Sequence, residues 1–209
     1  MIRLLIADDH PVVREGLARI IETMPGLVVA AQAVDGEGVV NAVRSIPVDA
    51  VLMDLNMPGP GFIEVLRRVH DVAPRLPVLI LSVHPEEQFA LRALRAGAAG
   101  YLTKNQSPEQ LRDALHKVVR GGRWLSPAVT ERLAATLGEV HDGAAHESLS
   151  DREFEVLRHL GHGKSAKETA AVLGISHKTV STYRDRIRQK LALRSNAEIM
   201  RYAMEHELA

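Results

Sequence analysis

Residues 49–58 read Asp-Ala-Val-Leu-Met-Asp-Leu-Asn-Met-Pro, in which a short apolar run ends at the carboxylate of Asp54. A continuous apolar run, without the alternation of a half-exposed strand, is typical of a strand buried on both faces of a parallel sheet. Similar runs predict four further strands, at 2–7, 27–33, 77–82 and 99–102. The run that ends at Asp54 is therefore predicted to be one strand of a parallel sheet.

Amphipathic stretches separate these predicted strands. Their apolar residues follow helical spacing and predict helices near 12–23, 36–45, 60–71, 86–96 and 108–120. Five strand-helix units imply right-handed crossovers, with helices on both faces of the sheet. The first 120 residues are thus predicted to form an α/β domain with a five-stranded, doubly wound parallel sheet.

The composition excludes several classes of protein. The 209 residues are enough for two domains of ordinary size. The chain contains no Cys, which rules out a thiol nucleophile, a Cys-based zinc site and a thiol redox switch. No apolar stretch approaches the roughly 20 residues of a membrane helix, and the N-terminus lacks a signal-peptide pattern. We therefore expect a cytoplasmic protein without a membrane partner.

The charge is distributed unevenly along the chain, although Lys+Arg and Asp+Glu both number 26. Residues 1–147 contain 15 basic and 18 acidic side chains, whereas residues 148–209 contain 11 basic and 8 acidic ones. An acidic front part and a basic tail indicate different partners for the two parts.

Five polar residues stand at the ends of predicted strands: Asp8 and Asp9, Asp54, Ser82 and Lys104. In an open parallel sheet, functional groups gather beyond the carboxyl ends of the strands. Three clustered carboxylates repel one another unless a cation is bound, and an all-oxygen ligand set suits Mg²⁺. The lysine would offer a second positive group to an incoming phosphoryl group, which a carboxylate can attack as the nucleophile.

The order and spacing of these residues resemble the response-regulator receiver domain over about residues 2–120. The motifs that carry the resemblance are Ala7-Asp8-Asp9-His10, Met53-Asp54-Leu55-Asn56-Met57-Pro58-Gly59, Leu81-Ser82-Val83 and Gly100-Tyr101-Leu102-Thr103-Lys104. The resemblance implies a flavodoxin-like receiver fold for residues 1–120. It also implies that Asp54 accepts the phosphoryl group, and that Asp8, Asp9, Asp54 and the backbone carbonyl of Asn56 hold Mg²⁺.

Further switch residues follow from the same resemblance. Lys104 matches the lysine that contacts the phosphoryl group. Ser82 matches the residue whose hydroxyl moves towards the phosphoryl group, and Tyr101 matches the aromatic residue whose rotamer changes with Ser82. A phosphoryl group adds roughly −1.5 to −2 charge and three acceptor oxygens, which is enough to bias a bistable loop. Val83 departs from the family, in which a smaller residue is frequent at this position.

The second part of the chain reads as helical. Residues 121–146 are rich in small and polar residues and predict a linker with a short helix near 127–137. Four helices are predicted in 147–209, the first opened by the capping box Ser150-Asp151-Arg152-Glu153. Within 166–185 a helix ends at Gly174 and a second, basic helix follows after a tight turn. This arrangement is typical of a helix-turn-helix motif that binds DNA, with a protein-binding helical hairpin as the alternative.

One face of the second helix carries the candidate DNA contacts. Helical spacing turns Val180, Ile187 and Leu191 towards the core and leaves polar and basic side chains outward. Hydroxyl groups and an occasional charge can read base edges, while basic side chains contact phosphates. The candidate residues are Lys178, Thr179, Ser181, Thr182, Asp185, Arg186, Arg188 and Lys190.

Residues 147–208 are similar to the four-helix LuxR-type DNA-binding domain. The matching stretches are Leu149-Ser150-Asp151-Arg152-Glu153-Phe154-Glu155-Val156-Leu157, Lys167-Glu168-Thr169-Ala170, Ser176-His177-Lys178-Thr179-Val180 and Lys190-Leu191. The similarity implies that Thr179 and Lys190 contact the DNA backbone and that Ser181, Thr182 and Asp185 face the bases. Relatives often carry a basic residue where this chain has Asp185. The last helix, near 196–206, is implied to form the dimer contact.

Both resemblances together indicate a two-component response regulator of the NarL/FixJ type, and not an enzyme. They imply that a sensor histidine kinase phosphorylates Asp54, and that the chain then binds double-stranded promoter DNA as a homodimer and regulates transcription. Three alternatives stay open at this point. They are a receiver that acts without phosphorylation, a phosphotransferase with an aspartate nucleophile, and a LuxR-type receptor for a small apolar ligand.

Overall fold

The computed structural model describes residues 1–83, 86–136, 145–206 and 208. The chain divides into two compact units, Met1–Val140 and His141–Ala209. Among the described residues, no helix is both long and apolar enough to cross a membrane. Part of the predicted linker, residues 137–144, lies outside the described residues.

The first unit contains a five-stranded parallel sheet in the order β2-β1-β3-β4-β5. Its strands are β1 Ile2–Ala7, β2 Leu27–Ala33, β3 Ala50–Asp54, β4 Val78–Ser82 and β5 Gly100–Thr103. Every residue of β3 and β4 is buried, as their continuous apolar sequences predict. The predicted doubly wound α/β fold is therefore confirmed.

Five helices connect and follow the strands. They are α1 Pro11–Glu22, α2 Gly36–Ser45, α3 Phe62–Val72, α4 Glu86–Arg95 and α5 Pro108–Val119. Local sequence explains where several of them begin. Asp35 caps α2 by accepting a hydrogen bond from the Gly38 amide, and Ser107 and Gln110 form a capping box at the start of α5. A hydrophobic core packs one face of the sheet against α1 and α5, and includes Leu4, Ile6, Leu52, Leu79, Leu111 and Leu115.

The segment after α5 pairs with the edge of the sheet. The Trp124 amide donates to the Ala99 carbonyl at 3.0 Å, and the Tyr101 amide donates to the Trp124 carbonyl at 3.2 Å. A Cβ atom at Gly100 would lie 2.6 Å from the Trp124 carbonyl oxygen, so this approach requires glycine. The beginning of the predicted linker is thus attached to β5.

A sixth helix follows, α6 Pro127–Thr136, where the sequence predicts a short helix. The Ser126 hydroxyl caps it by accepting from the Val129 amide, and the Ser126 amide donates to Glu86 Oε1 at 3.0 Å. Because Glu86 is the first residue of α4, this hydrogen bond joins the start of α6 to the start of α4.

Helices and no strands make up the regular secondary structure in the described residues of the second unit, as predicted. A short 3₁₀ helix, Ala145–Ser148, precedes α7 Asp151–Gly161, α8 Ala166–Leu173, α9 His177–Lys190 and α10 Asn196–Glu205. Gly174 adopts a left-handed conformation with φ of 65° and ends α8, which produces the tight turn of a helix-turn-helix motif. Val180, Ile187 and Leu191 of the second helix are buried, as their spacing predicts.

Candidate functional site

Strand register brings the predicted carboxylates together. Because Ala7 of β1 pairs with Met53 of β3, the residues that follow Ala7 lie beside Asp54 at the end of the neighbouring strand. Ligand atoms of Asp8, Asp9, His10 and Asp54 all lie within 4.8 Å of one another. The side chains of Asp8 and Asp54 are almost fully buried. We refer to Asp8, Asp9 and Asp54 as the acidic pocket.

Lys104 supplies the positive charge of the acidic pocket. Its Nζ lies 2.6 Å from Asp8 Oδ2 and 3.0 Å from Asp54 Oδ1. The Lys104 amide donates to the Ser82 carbonyl at 2.7 Å, which fixes the backbone of the lysine to the end of β4. One ammonium therefore holds two buried carboxylates of the pocket at the same time.

The pocket changes the acidity of its groups. Burial raises the pKa of Asp54, and the neighbouring charge of Asp8 adds to this effect, while Lys104 opposes both. The net pKa of Asp54 is raised, which makes its carboxylate more basic than that of an exposed aspartate. Burial lowers the pKa of Lys104, but the hydrogen bonds and charges of Asp8 and Asp54 outweigh it and raise the pKa overall. The ammonium therefore stays charged at neutral pH.

Asp9 and His10 form the exposed side of the pocket. One carboxylate oxygen, Asp9 Oδ1, is buried and accepts no hydrogen bond from the described residues, although His10 Nδ1 lies 2.8 Å away. The His10 amide donates to Asp8 Oδ1 at 2.8 Å and holds that carboxylate in place. The sequence-based interpretation left His10 out of the site, although its position directly after two aspartates places it at the same strand end.

The two predicted switch residues are buried in the neighbouring strands β4 and β5. Ser82 ends β4 and pairs in register with Thr103 of β5, immediately before Lys104. Tyr101 lies two residues earlier in β5, and its large side chain is almost fully buried. Val83, in contrast, is mostly exposed and begins the segment that follows β4. Strand ends thus place Ser82 and Lys104 on the same edge of the sheet.

The candidate DNA contacts lie on α9 and differ in exposure. Lys178, Thr182, Asp185 and Arg186 are exposed. Lys190 is also exposed, whereas Thr179, Ser181 and Arg188 are half-buried. Several polar groups on this helix are engaged locally: the Thr182 hydroxyl donates to the Lys178 carbonyl at 3.1 Å, and Arg184 Nε lies 3.6 Å from Asp185 Oδ1. The exposed residues form one outward stripe along the helix.

Two family models match the chain. The response regulator receiver domain matches residues 4–116, and the family described as bacterial regulatory proteins, luxR family, matches residues 147–203. The receiver match contradicts the alternative of a ligand-receptor domain in the front part of the chain.

Relatives and solved structures match nearly the whole length. Response regulator GacA of Pseudomonas aeruginosa is 36% identical over 208 residues, which covers 99% of this chain and 97% of that protein. Response regulator UvrY of Escherichia coli is 34% identical and covers 100% of this chain and 96% of that protein. The crystal structure of response regulator ChrA, from a heme-sensing two-component system, matches with a TM-score of 0.52 and 34% sequence identity. The match covers 100% of this chain and 98% of that chain.

The acidic pocket and the helix-turn-helix unit thus occur in one chain, which matches these relatives over nearly its whole length. The chain belongs to the NarL/FixJ-type response regulators of two-component systems, with a receiver domain followed by a LuxR-type DNA-binding domain.

Proposed function

We propose that Asp54 accepts a phosphoryl group from a sensor histidine kinase and that this event controls binding to promoter DNA. The observation that carries the proposal is the contact of one ammonium, Lys104, with both Asp54 and Asp8. A buried aspartate of raised basicity, beside a fixed cation, is suited to attack phosphorus and to hold the product.

The chemical step needs only one bond to form and one to break. The Asp54 carboxylate, which Lys104 contacts at Oδ1, would attack the phosphorus of a phosphohistidine. The new O–P bond forms as the P–N bond breaks, and the histidine nitrogen leaves with the electron pair. The ammonium of Lys104 stabilises charge on the oxygens of the transferred group. The protein retains the phosphoryl group as a signal, so we infer that the chain acts as a switch and not as an enzyme.

The acidic pocket fits a magnesium ion. Three carboxylates within 4.8 Å form a hard oxygen ligand set, and the buried Asp9 Oδ1 accepts no hydrogen bond from the described residues. We infer that Asp8, Asp9, Asp54 and the backbone carbonyl of Asn56 would hold the ion. When bound, Mg²⁺ neutralises negative charge between the pocket and the incoming phosphoryl group.

The signal would leave the pocket through β4 and β5. We propose that the Ser82 hydroxyl turns towards the phosphoryl group and that the buried Tyr101 changes rotamer with it. Tyr101 is bonded through its amide to Trp124, and Glu86 after β4 is bonded to Ser126. The start of the linker is therefore attached to β5, which carries Tyr101, and to α4, the helix that follows the strand of Ser82.

We propose domain limits of 1–120 for the receiver, 121–146 for the linker and 147–209 for the DNA-binding domain. The family matches at 4–116 and 147–203 support them. The contacts of Trp124 and Ser126 support a linker whose first residues belong structurally to the receiver unit.

The proposed DNA interface is the exposed stripe of α9 together with the half-buried Thr179 and Ser181. Lys178 and Arg186 would contact phosphates, while Ser181, Thr182 and Asp185 would face base edges in the major groove. Thr179 stands at the start of α9, where its amide already donates to the Ser176 hydroxyl at 3.0 Å, and a nearby phosphate could accept from its hydroxyl. Because bacterial promoter DNA lies in the cytoplasm, we infer a cytoplasmic protein.

We further propose that two copies of the chain bind two half-sites. Met200 and Met204 are exposed apolar side chains on α10, in a spacing that places both on one face of the helix. Paired α10 helices would bury them and would give the two-fold symmetry of a palindromic operator.

The phosphorylation proposal is tested by intact mass after incubation with acetyl phosphate. We expect the wild-type chain to gain one phosphoryl group in the presence of Mg²⁺, and the Asp54→Ala variant to gain none. The matched control is Asp49→Ala, which removes an aspartate that directly precedes the same strand. An adduct of equal yield on Asp54→Ala would contradict the assignment of Asp54.

A second prediction concerns base preference. A carboxylate can accept from the N4 amino group of cytosine, whereas an amide side chain pairs with adenine. We expect Asp185→Asn to change the preferred base at one position of each half-site, with a change in discrimination of about 1–3 kcal/mol. The measurement is selection from a random duplex pool with the full chain. The control Glu22→Gln removes an exposed charge on α1, and an unchanged preference in Asp185→Asn would remove Asp185 from the base-reading set.

A further inference from the structure

Lys190, the last residue of α9, is engaged inside the DNA-binding unit. Its Nζ lies 2.6 Å from Glu153 Oε2 and donates to the Ser148 carbonyl at 3.2 Å. The Glu153 side chain is only 3% exposed, and the Lys190 side chain is 39% exposed. The ammonium thus connects the end of α9 to the first turn of α7 and to the segment that precedes it.

Glu153 is itself held in a fixed position. Its Oε2 accepts from the Ser150 amide at 2.8 Å, and the Glu153 amide donates to the Ser150 hydroxyl at 3.3 Å, which completes a capping box. Burial raises the pKa of Glu153, but the hydrogen bonds from Lys190 and Ser150 outweigh it and lower the pKa overall. The carboxylate is therefore ionised at neutral pH and presents a fixed negative charge to Lys190.

Neighbouring basic residues of α9 separate into two groups. Arg188 donates through Nη2 to the Arg194 carbonyl, in the turn that follows the helix. Within the described part of the chain, neither Lys178 nor Arg186 forms an ion pair, and both are exposed. Lys178 in the first turn and Arg186 in the middle of α9 are therefore without an ion pair among the described residues, whereas Arg188 and Lys190 in the last turn bind groups at the end of the helix.

We propose that Lys190 is a positioning residue for DNA recognition and not a phosphate contact. By joining the end of α9 to buried Glu153, it fixes the direction of the recognition helix relative to α7. This inference rests on the proposed DNA-binding role of α9, and it replaces the backbone contact that the family resemblance implies for Lys190.

The test separates positioning from phosphate contact by salt dependence. We compare the full-length wild type with Lys190→Gln and with the matched variant Lys178→Gln, at a temperature at which circular dichroism shows all of them folded. The probes are a duplex selected from a random pool by the wild type and a scrambled duplex. Affinity for both is measured over a range of salt concentrations.

Positioning and contact give different results. For Lys190→Gln we expect affinity for the selected duplex to fall about tenfold, the effect of losing one base contact, with an unchanged salt slope and unchanged affinity for the scrambled duplex. For Lys178→Gln we expect both affinities to fall and the slope of log K against log salt to decrease by about 0.9. The proposal is overturned if Lys190→Gln shows the slope change, or if its affinity for the selected duplex is unaltered.

Glu153, the buried partner of Lys190, allows a second and independent test of the proposal. Glu153 is too buried to contact a phosphate, so a loss of selected-duplex affinity in Glu153→Gln can arise only through the position of the helix. We expect Glu153→Gln to reproduce the result of Lys190→Gln, and the double variant to add little to either. Independent effects of the two substitutions would overturn the proposal. Failure of the wild type to enrich any duplex would instead contradict the proposed DNA-binding function.

Discussion

Replacing Asp54 by Asn is expected to give a protein that is more stable than the wild type and that no phosphoryl donor can modify. The raised pKa of Asp54, caused by burial and by the charge of Asp8, means that folding disfavours the ionised carboxylate. Asn removes the charge but keeps the shape, and Lys104 retains its 2.6 Å contact with Asp8. We expect a gain of about 0.5–2 kcal/mol at pH 7, typical of relieving a functional site of its strain.

The sign of the pH dependence makes this prediction specific. An acid whose pKa is raised in the folded state destabilises the fold when it is ionised, and this cost disappears once both states are protonated. The stability advantage of Asp54→Asn should therefore be present at pH 7 and shrink as the pH falls to about 4, near the pKa of an unperturbed aspartate. Urea unfolding in metal-free buffer measures it, and a variant less stable than the wild type at pH 7 would contradict the account.

Replacing Lys104 by Met is expected to have the largest effect on stability. The substitution removes the cation that lies between Asp54 and Asp8, and two buried carboxylates then face each other without a counter-charge. Removal of one partner from a buried ion pair costs about 3 kcal/mol or more. We expect a loss of this size in the free energy of unfolding at pH 7, in the absence of divalent metal.

Two observations would separate this effect from a general loss of packing. Acidification should reduce the difference between Lys104→Met and the wild type, because protonation of Asp54 removes the repulsion. Added Mg²⁺ should also restore part of the stability, by binding the folded state. The conservative variant Lys104→Arg keeps the charge and should lose less, and Lys167→Met, which removes an exposed lysine, should lose almost nothing. Equal stability of Lys104→Met and the wild type in metal-free buffer would refute the role assigned to Lys104.

The acidic pocket was predictable because of the geometry of parallel sheets. Four of the five apolar runs end at or directly before a polar residue, and the carboxyl ends of parallel strands meet at one edge, so Asp8 and Asp54 were expected to converge. The pairing of Ala7 with Met53 confirms this reasoning at the level of single residues. The side-chain contacts of Lys104 follow from the same rule.

The attachment of the linker could not be predicted in this way. Residues around Trp124 lack the apolar run of a strand, and their pairing depends on β5 being the edge strand and on the absence of a side chain at Gly100. Both conditions involve the tertiary structure. Local composition therefore indicated only a linker, although its first residues bond to the sheet.

The ion pair of Lys190 with Glu153 could not be predicted from the sequence either. Helical spacing places it at an outward position of a basic helix, where a phosphate contact is the expected role. Its partner Glu153 is 37 residues away in the sequence. The capping box with Ser150 is by itself a sufficient reason for a glutamate at that position, so the sequence gives no sign of a second role. Long-range ion pairs of this kind have no local sequence pattern.

Phosphorylation of Asp54 is expected to control DNA binding, and the affinity of the full chain for a selected duplex measures that control. The duplex is titrated with wild-type protein before and after incubation with acetyl phosphate and Mg²⁺, at fixed salt. We predict at least about a tenfold gain in affinity on phosphorylation, equivalent to about 1.4 kcal/mol of coupling, and no gain for Asp54→Asn. Equal affinity of the phosphorylated and unphosphorylated wild type, with the adduct verified by mass, would contradict the account.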